Sequence, residues 1–210
     1  MKLWKAGAIG LGVLLAGASA TYAYYRASVD EPDYTLLAED GDYQLRQYDA
    51  IIVAEVTHTG ERRRALNAGF RRLADYIFAK DRPGQEIAMT SPVMQDQGEK
   101  IAMTSPVMQD GSVGVDGWRT RFVMPAGYTM ETLPPPPDDV TLTEVSARKI
   151  AAVRFSGSAS TDDLAKQEEG LRKWMAGQGL VAAGPAEYAF YDAPMVPPAM
   201  RRNEVMIPVE

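Results

Sequence analysis

The side chains that this chain lacks limit the chemistry it can perform. Its 210 residues include no cysteine and a single histidine, His58. The absence of cysteine excludes thiolate nucleophiles, disulfides, thiolate zinc sites, iron–sulfur clusters and covalently attached c-type haem. A Ser/His/Asp triad or a histidine metal centre would depend on His58 alone. The carboxylates show no paired spacing typical of general acid–base catalysis, so we predict a binding protein rather than an enzyme, with no metal site of its own.

Three kinds of side chain remain as candidates for ligand binding. His58 follows a β-branched segment and precedes Gly60, which places it at a strand end, where it is either a haem ligand or a surface residue. The methionines offer thioethers for an adaptable lining or for core packing. A cluster of guanidinium groups would meet propionates, phosphates or lipid headgroups, or would form a solvated helix face. The cluster consists of Arg62, Arg63, Arg64, Arg71 and Arg72.

The elements that would position these groups follow the order strand, strand, helix, strand, strand, twice over. Residues 62–79 form the first predicted helix, because Leu66, Phe70, Leu73 and Ile77 recur on one face. The second begins at Thr161, as N-cap with an acidic first turn, and ends at Gly177 or Gly179. The predicted strands are 43–48, 51–57, 87–94, 101–108, 118–124, 141–144, 150–155, 187–191 and 204–209. We predict an α+β fold in which an antiparallel sheet or distorted barrel carries two helices on one face.

The N-terminal segment differs from the rest of the chain. Lys2 and Lys5 precede residues 6–25, which contain no charged side chain. The sequence Ala18-Ser19-Ala20 fits the cleavage site of a signal peptide, whereas the whole span fits a transmembrane signal anchor. Both readings predict an exported protein, either periplasmic or anchored in the inner membrane with its domain outside the cytoplasm. Residues 26–33 are then a linker, and residues 34–210 form the domain.

A repeat lies inside the first half. Residues 87–96 recur letter for letter as residues 101–110. Two strands joined by residues 97–100 as a turn would fit this repeat. We interpret it either as a tolerated hairpin extension or as two methionine-bearing strands that line a pocket.

Four segments together resemble the SOUL haem-binding protein family. They are both copies of Ile-Ala-Met-Thr-Ser-Pro-Val, residues 70–77, residues 43–48 and residues 202–205, in the family's order. The resemblance implies two βαββ halves that form a distorted barrel, similar to the effector-binding domains of bacterial multidrug regulators. It also implies non-covalent tetrapyrrole binding without enzymatic turnover.

The chain departs from the family pattern at several positions. Gln47 stands where one animal member has been proposed to bind haem iron through histidine, and an amide is a poor iron ligand. Basic residues that contact the haem propionates in other members correspond here to Asn67, Asp75 and Val196. The resemblance therefore implies a haem that is weakly ligated and held mainly by a groove beside the first helix.

The predicted haem-binding residues combine that groove with nearby cations. At 100° per residue, Arg63 lies about 60° from the apolar stripe and Arg71 about 140° from it. Arg63 is thus better placed to flank the groove. The predicted site comprises Arg63, Asn67, Phe70, Arg71 and Met195.

Two binding functions follow from the sequence. The first is a carrier or buffer of haem or a related tetrapyrrole at the cell envelope. The alternative is a binding module for another amphipathic small molecule, in which Glu204 either contacts a cationic ligand or is a structural carboxylate. The net charge of −6 argues against a nucleic-acid partner. The N-terminal segment would contact the membrane if it is not cleaved, and the oligomeric state stays open.

Overall fold

The computed structural model describes residues 30–97, 117–193 and 195–210. Residues 31–210 form one compact unit. The predicted signal peptide or anchor and the second repeat copy lie outside the described residues. Within the described ranges, no helix is long and apolar enough to cross a membrane.

Nine strands and two α-helices make up the described unit. Their bounds are β1 Tyr34–Asp40, β2 Tyr43–Tyr48, β3 Ile51–Thr59, α1 Arg62–Ile77, β4 Val93–Gln97, β5 Gly117–Val123, β6 Thr141–Val145, β7 Arg148–Phe155, α2 Thr161–Gly177, β8 Glu187–Phe190 and β9 Asn203–Val209. A short 3₁₀ turn, Pro198–Met200, precedes β9. This order confirms the predicted α+β class: each half contains a βαββ unit, β3-α1-β4-β5 or β7-α2-β8-β9, that follows one further strand, β2 or β6, and β1 precedes them all.

All nine strands join one antiparallel sheet in the order β1-β2-β7-β9-β8-β4-β5-β3-β6. Each half contributes three neighbouring strands, and the halves meet where β4 pairs with β8. The strand that directly precedes each βαββ unit pairs with the other unit, since β2 joins β7 and β6 joins β3. Because β1 and β6 remain as edges, the sheet is an open, curled half-barrel.

The two faces of the sheet have different roles. Both helices cover one face, which we call the helix face: α1 packs on the β3–β5 side, and α2 packs on β7 and β9. The other face, called the inner face, carries a third apolar cluster that includes Val53, Met94, Ile150 and Met206. Strand alternation assigns each side chain to one face or the other.

Three elements of the structure differ from the sequence prediction. Strand β1 was not predicted, because all seven of its residues are exposed and leave no apolar alternation. Strand β4 begins at Val93 rather than at residue 87. Helix α2 is capped by Ser160 rather than Thr161, because the Ser160 hydroxyl accepts from the Asp163 N–H while the Asp163 carboxylate accepts from the Ser160 N–H.

Candidate ligand-binding site

The exposed side of α1 brings most of the predicted haem-binding residues together. Arg63, Asn67 and Arg71 are exposed and follow one another at four-residue spacing, so they form one strip along the helix. Phe70 borders this strip but is half-buried, and its ring meets Phe122 edge-on with centroids 5.3 Å apart. Arg63 and Arg71 are both exposed, so their different predicted angles from the apolar stripe do not make one more accessible than the other.

Two neighbouring side chains fix the first turn of α1. The Glu61 carboxylate caps the helix by accepting from the N–H groups of Arg63 and Arg64, at 2.9 and 3.0 Å. Arg62 is buried beneath the turn, where it donates to the Gln95 amide oxygen and to the Ala159 carbonyl. The helix is therefore anchored to β4 while Arg63 points outward.

The strip carries positive charge without counter-ions. Within residues 30–97, 117–193 and 195–210, Arg63, Arg64 and Arg71 have no side-chain hydrogen bond or ion pair. Arg72, one position further, differs, because Asp81 and Asp139 both accept from its guanidinium. Three of the five clustered arginines thus remain available to an anionic group.

Met195 lies on a separate loop between β8 and β9. Its side chain is 87% exposed. This loop reaches α1 indirectly, since the Gly157 N–H donates to the Pro198 carbonyl and Arg62 donates to the carbonyl of Ala159. The structure therefore groups Arg63, Asn67, Phe70 and Arg71, and it places Met195 beyond the loop that bridges them.

The residues at the positions that depart from the family pattern do not replace the missing iron ligand or the missing basic side chains. Gln47 lies on the helix face, with its amide donating to the Tyr48 carbonyl. Asp75 forms an ion pair with Lys80 at 2.8 Å, and Val196 is buried. None of these side chains offers a cation to a propionate.

His58 lies inside β3 rather than in a polar loop after it. It pairs with Trp118 of β5 and is half-buried. Its Nδ1 is buried and has no hydrogen-bond partner among the described residues. Strand alternation directs the ring to the helix face, away from the inner face.

Glu204 is a structural carboxylate at the centre of the inner face. It is fully buried and accepts two bonds from Arg46, at 2.7 and 3.1 Å. Arg202 and the Tyr191 hydroxyl also donate to it, at 2.8 Å each. Burial alone would raise the pKa of Glu204, but the hydrogen bonds and charge of the two guanidiniums outweigh burial and lower it below 4.5. Of the two roles left open by the sequence, contact with a cationic ligand and structure, this geometry supports the second.

A pocket lies beside this network on the inner face. It is a shallow groove, and the space between its walls, open solvent included, is about 460 Å³. Its walls are apolar and aromatic, with charged groups at the mouth. The lining includes Glu31, Tyr34, Tyr48, Asp49, Met94, Arg148, Ile150, Tyr191 and Met206.

The sequence does not predict this pocket. The alternation of Arg46 and Tyr48 in β2, and of Glu204 and Met206 in β9, indicates that each pair shares a face. The pairing of β2 and β9 with β7 brings the two pairs together, and the sequence gives no sign of that pairing.

Solved structures with a similar fold define the class. The EcmrR C-terminal domain has a TM-score of 0.57 and 14% identity, over 84% of this chain and 98% of that domain. EcmrR in a DNA complex has a TM-score of 0.57 and 12% identity, over 94% of this chain and 65% of that chain. A hydrolase from Listeria innocua has a TM-score of 0.53 and 10% identity, over 83% of this chain and 94% of that chain. At these identities the likeness concerns the fold alone, which is that of the effector-binding domains.

Within this fold class, the sequence defines the family. The chain belongs to the SOUL heme-binding protein family, whose sequence profile matches residues 29–208. This match confirms the resemblance of the four sequence segments. No curated protein matches the chain.

Proposed function

We propose that this protein binds haem or a related tetrapyrrole non-covalently and without turnover, as a carrier or buffer at the cell envelope. Membership of a heme-binding family supports the ligand class. The observation that selects the surface is the strip on α1, where Arg63 and Arg71 have no carboxylate partner in the described part of the chain.

The chemistry of the strip matches the edge of a haem. Arg63 and Arg71 are eight residues apart, about 12 Å along a helix axis, and Asn67 lies between them. Guanidinium groups bind carboxylates through paired, charge-assisted hydrogen bonds, so the two propionates are suitable partners. The half-buried Phe70 adds an aromatic surface on which the porphyrin can pack.

The iron has no strong protein ligand in this arrangement. The residues of the strip, Arg63, Asn67, Phe70 and Arg71, include no imidazole, thiolate or thioether that could bind the iron as an axial ligand. His58 is half-buried within β3 instead of standing on the strip. The residues fit a haem held by its propionates and its porphyrin surface, with weak axial ligation.

Haemin titration tests this proposal. We expect saturable binding of about one haemin per full chain, with a broad Soret band that is little shifted. Arg63→Ala removes one charge-assisted contact to a partly exposed propionate and should weaken binding by about fivefold, on the order of 1 kcal/mol. His58→Ala should leave the affinity unchanged.

The matched control for this titration is Arg172→Ala, which removes an exposed arginine from α2. It should leave haemin binding unchanged, and circular dichroism should show that every variant is folded. Equal affinities for Arg63→Ala and Arg172→Ala would refute the proposed surface. A tenfold loss in His58→Ala would instead identify the imidazole as an iron ligand.

We also propose that the protein is exported. The supporting feature is the uncharged span of residues 6–25 after Lys2 and Lys5. A reporter that fluoresces only in the cytoplasm should stay dark when fused after Glu210, whereas bright cells would contradict export. N-terminal sequencing should give Thr21 if the segment is a cleaved signal peptide.

A second candidate function is the binding of another amphipathic small molecule. The inner-face pocket favours it, because that pocket is mainly apolar and lies on the face opposite α1.

A further inference from the structure

We propose that the strand position between β5 and β8, here called the β4 site, binds either copy of the repeated segment. In the structure it holds the first copy, residues 87–96, as the start of β4. The second copy, residues 101–110, has the same ten side chains in the same order and can replace it. The proposal does not depend on haem binding.

The strands on both sides of the β4 site lie outside the repeat. Val93 to Asp96 pair with β5 on one side and with β8 on the other. These four residues recur as residues 107–110. Only the last residue of β4, Gln97, is outside the repeated unit, and it is exposed. The pairing on both sides is therefore available to the second copy as well.

The buried polar contacts of β4 come from residues that the second copy shares. The fully buried Gln95 accepts from the Arg62 guanidinium at 3.2 Å and donates to the Arg62 carbonyl at 3.0 Å. Asp96 accepts from Arg119 at 2.6 Å and from Arg121 at 3.2 Å. Gln109 and Asp110 stand at the equivalent positions of the second copy.

The chain just before β4 is held by the repeated residues too. Ile87 is buried, and its N–H donates to the Ile77 carbonyl at the end of α1, at 2.8 Å. The Thr90 hydroxyl donates to the Val123 carbonyl of β5. Because the same residue types recur fourteen positions later, each contact has an equivalent donor in the second copy.

The connections on either side permit the exchange. With the first copy bound, residues 78–86 lead from α1 to the repeat, and residues 98–116 lead on to β5. With the second copy bound, these connections become residues 78–100 and 112–116. The cost of closing a loop varies with the logarithm of its length, so the two arrangements differ by only about twofold on this account. The shorter connection is within the usual length of a hairpin loop.

One contact near the junction favours the first copy. The Arg82 guanidinium donates to the Gln85 carbonyl at 3.0 Å, and exchange would release Gln85. The same guanidinium donates to the Tyr76 carbonyl of α1 at 2.8 Å, a contact that can persist in both arrangements. The bias toward the first copy is therefore small beside the contacts that either copy makes in the β4 site.

Exchange changes which end of α1 carries the long connection. Gly117 begins β5 and pairs with Thr59, next to the start of α1, whereas residues 78–86 follow the end of that helix. Fourteen residues of connecting chain therefore transfer from the N-terminal end of α1 to its C-terminal end when the second copy binds.

Alanine variants of the two equivalent aspartates test the exchange. In urea unfolding of the full chain, Asp96→Ala and Asp110→Ala should each raise the equilibrium constant for unfolding by less than about tenfold, because the unaltered copy occupies the β4 site. The double variant should raise it by at least about 100-fold, because Arg119 and Arg121 then lose this carboxylate whichever copy binds.

The matched control is Asp96→Ala in a chain that lacks residues 97–110 and so has one copy. There the single substitution should cost the full 100-fold relative to its own parent. In the full chain, a 100-fold effect of Asp96→Ala with no effect of Asp110→Ala would overturn the proposal, because the first copy would then be a fixed occupant. The reverse pattern would overturn it equally.

Disulfide trapping gives an independent structural test, since the chain has no cysteine of its own. Met94 pairs directly with Ala189 of β8, and paired residues of antiparallel strands lie within disulfide range. Met94→Cys and Met108→Cys, each combined with Ala189→Cys, should both form a bond within one chain on oxidation. Met130→Cys, at an exposed position outside the sheet, should form none with Ala189→Cys.

A bond that forms with Met94→Cys but not with Met108→Cys would show that the second copy does not enter the β4 site. The exchange would then be refuted. Neither this measurement nor urea unfolding involves haemin, so the exchange and the haem proposal can fail separately.

Discussion

At the residue scale, Glu204 shows how a buried charge becomes part of the structure. Its carboxylate has no exposed surface, and Arg46, Arg202 and Tyr191 all donate to it. Removing one member of such a group leaves the others buried without a partner, which typically costs about 3–5 kcal/mol. The group therefore holds the inner face together.

The lowered pKa of Glu204 predicts acid sensitivity. The unfolded chain takes up this proton near pH 4.5, before the folded chain does, so the stabilisation is present above that pH and is lost as the pH falls through the folded pKa. Urea unfolding should show a free energy of unfolding that declines below about pH 4.5. Glu187, whose pKa is also lowered, should contribute in the same direction.

Two glutamine variants test the assignment of this acid sensitivity. Glu204→Gln should lose about 3 kcal/mol at pH 7 and show a shallower decline toward acid pH. The matched control, Glu144→Gln on the exposed side of β6, should follow the wild-type profile. A wild-type profile for Glu204→Gln as well would show that this carboxylate does not stabilise the fold.

At the element scale, a close approach at Gly69 determines how α1 sits on the sheet. A Cβ built at Gly69 would lie 2.5 Å from the Thr120 hydroxyl oxygen and 2.6 Å from the Thr120 Cβ. The buried face of α1 is therefore centred on Ala65, Gly69 and Leu73, and Phe70 is only half-buried. The apolar stripe predicted from the sequence passed through Phe70, because a pattern of large side chains does not reveal a glycine contact.

Substitution of Gly69 should destabilise the protein. Gly69→Ala gains up to about 1 kcal/mol of helix propensity but forces α1 away from β5, and such overpacking typically costs 1–3 kcal/mol. We expect a net loss of stability in urea unfolding. Gly177→Ala in α2, where a Cβ meets nothing within 4 Å, should be neutral or slightly stabilising. Equal effects of the two substitutions would contradict the close approach.

Strands β1 and β4 show where local patterns are insufficient. Every residue of β1 is exposed, so its strand conformation comes from its register with β2. Strand β4 occupies only the end of the repeat unit, and it is central because β5 and β8 pair on either side of it. The sequence predicted a strand in this region but did not locate its beginning.

At the scale of the whole molecule, the exchange of strands β2 and β6 joins the two halves. Strand β2 belongs to the first half and pairs with β7, while β6 belongs to the second and pairs with β3. The Arg46–Glu204 contact spans 158 positions of the chain for the same reason. Neither half can keep its full set of strands alone, so we expect a single cooperative unfolding transition.

The repeat can be tested by deleting one period. Because residues 87–96 and 101–110 are identical, deleting residues 87–100 or residues 97–110 gives the same protein. This variant keeps one copy, including the residues of β4 up to Asp96, and shortens only the connection to β5. Loop-closure entropy should then change stability by no more than about 1 kcal/mol.

Urea unfolding of the deletion variant distinguishes the two interpretations of the repeat. A tolerated extension predicts a cooperative transition with nearly the wild-type midpoint. A broad transition, or a loss of several kcal/mol, would show that the second copy is integral to the sheet.

The sequence by itself determined both helices and most of the strands, the α+β class, the family and the position of exposed arginines on one helix. These follow from periodicity and motifs within short stretches of chain, where neighbouring residues decide the conformation. The tertiary structure alone decided which arginines keep a free guanidinium, that Glu204 is structural, and that Tyr34, Tyr48 and Tyr191 surround one pocket. These features depend on the register between strands that are distant in sequence, and that register is set by packing of the whole sheet rather than by any local pattern.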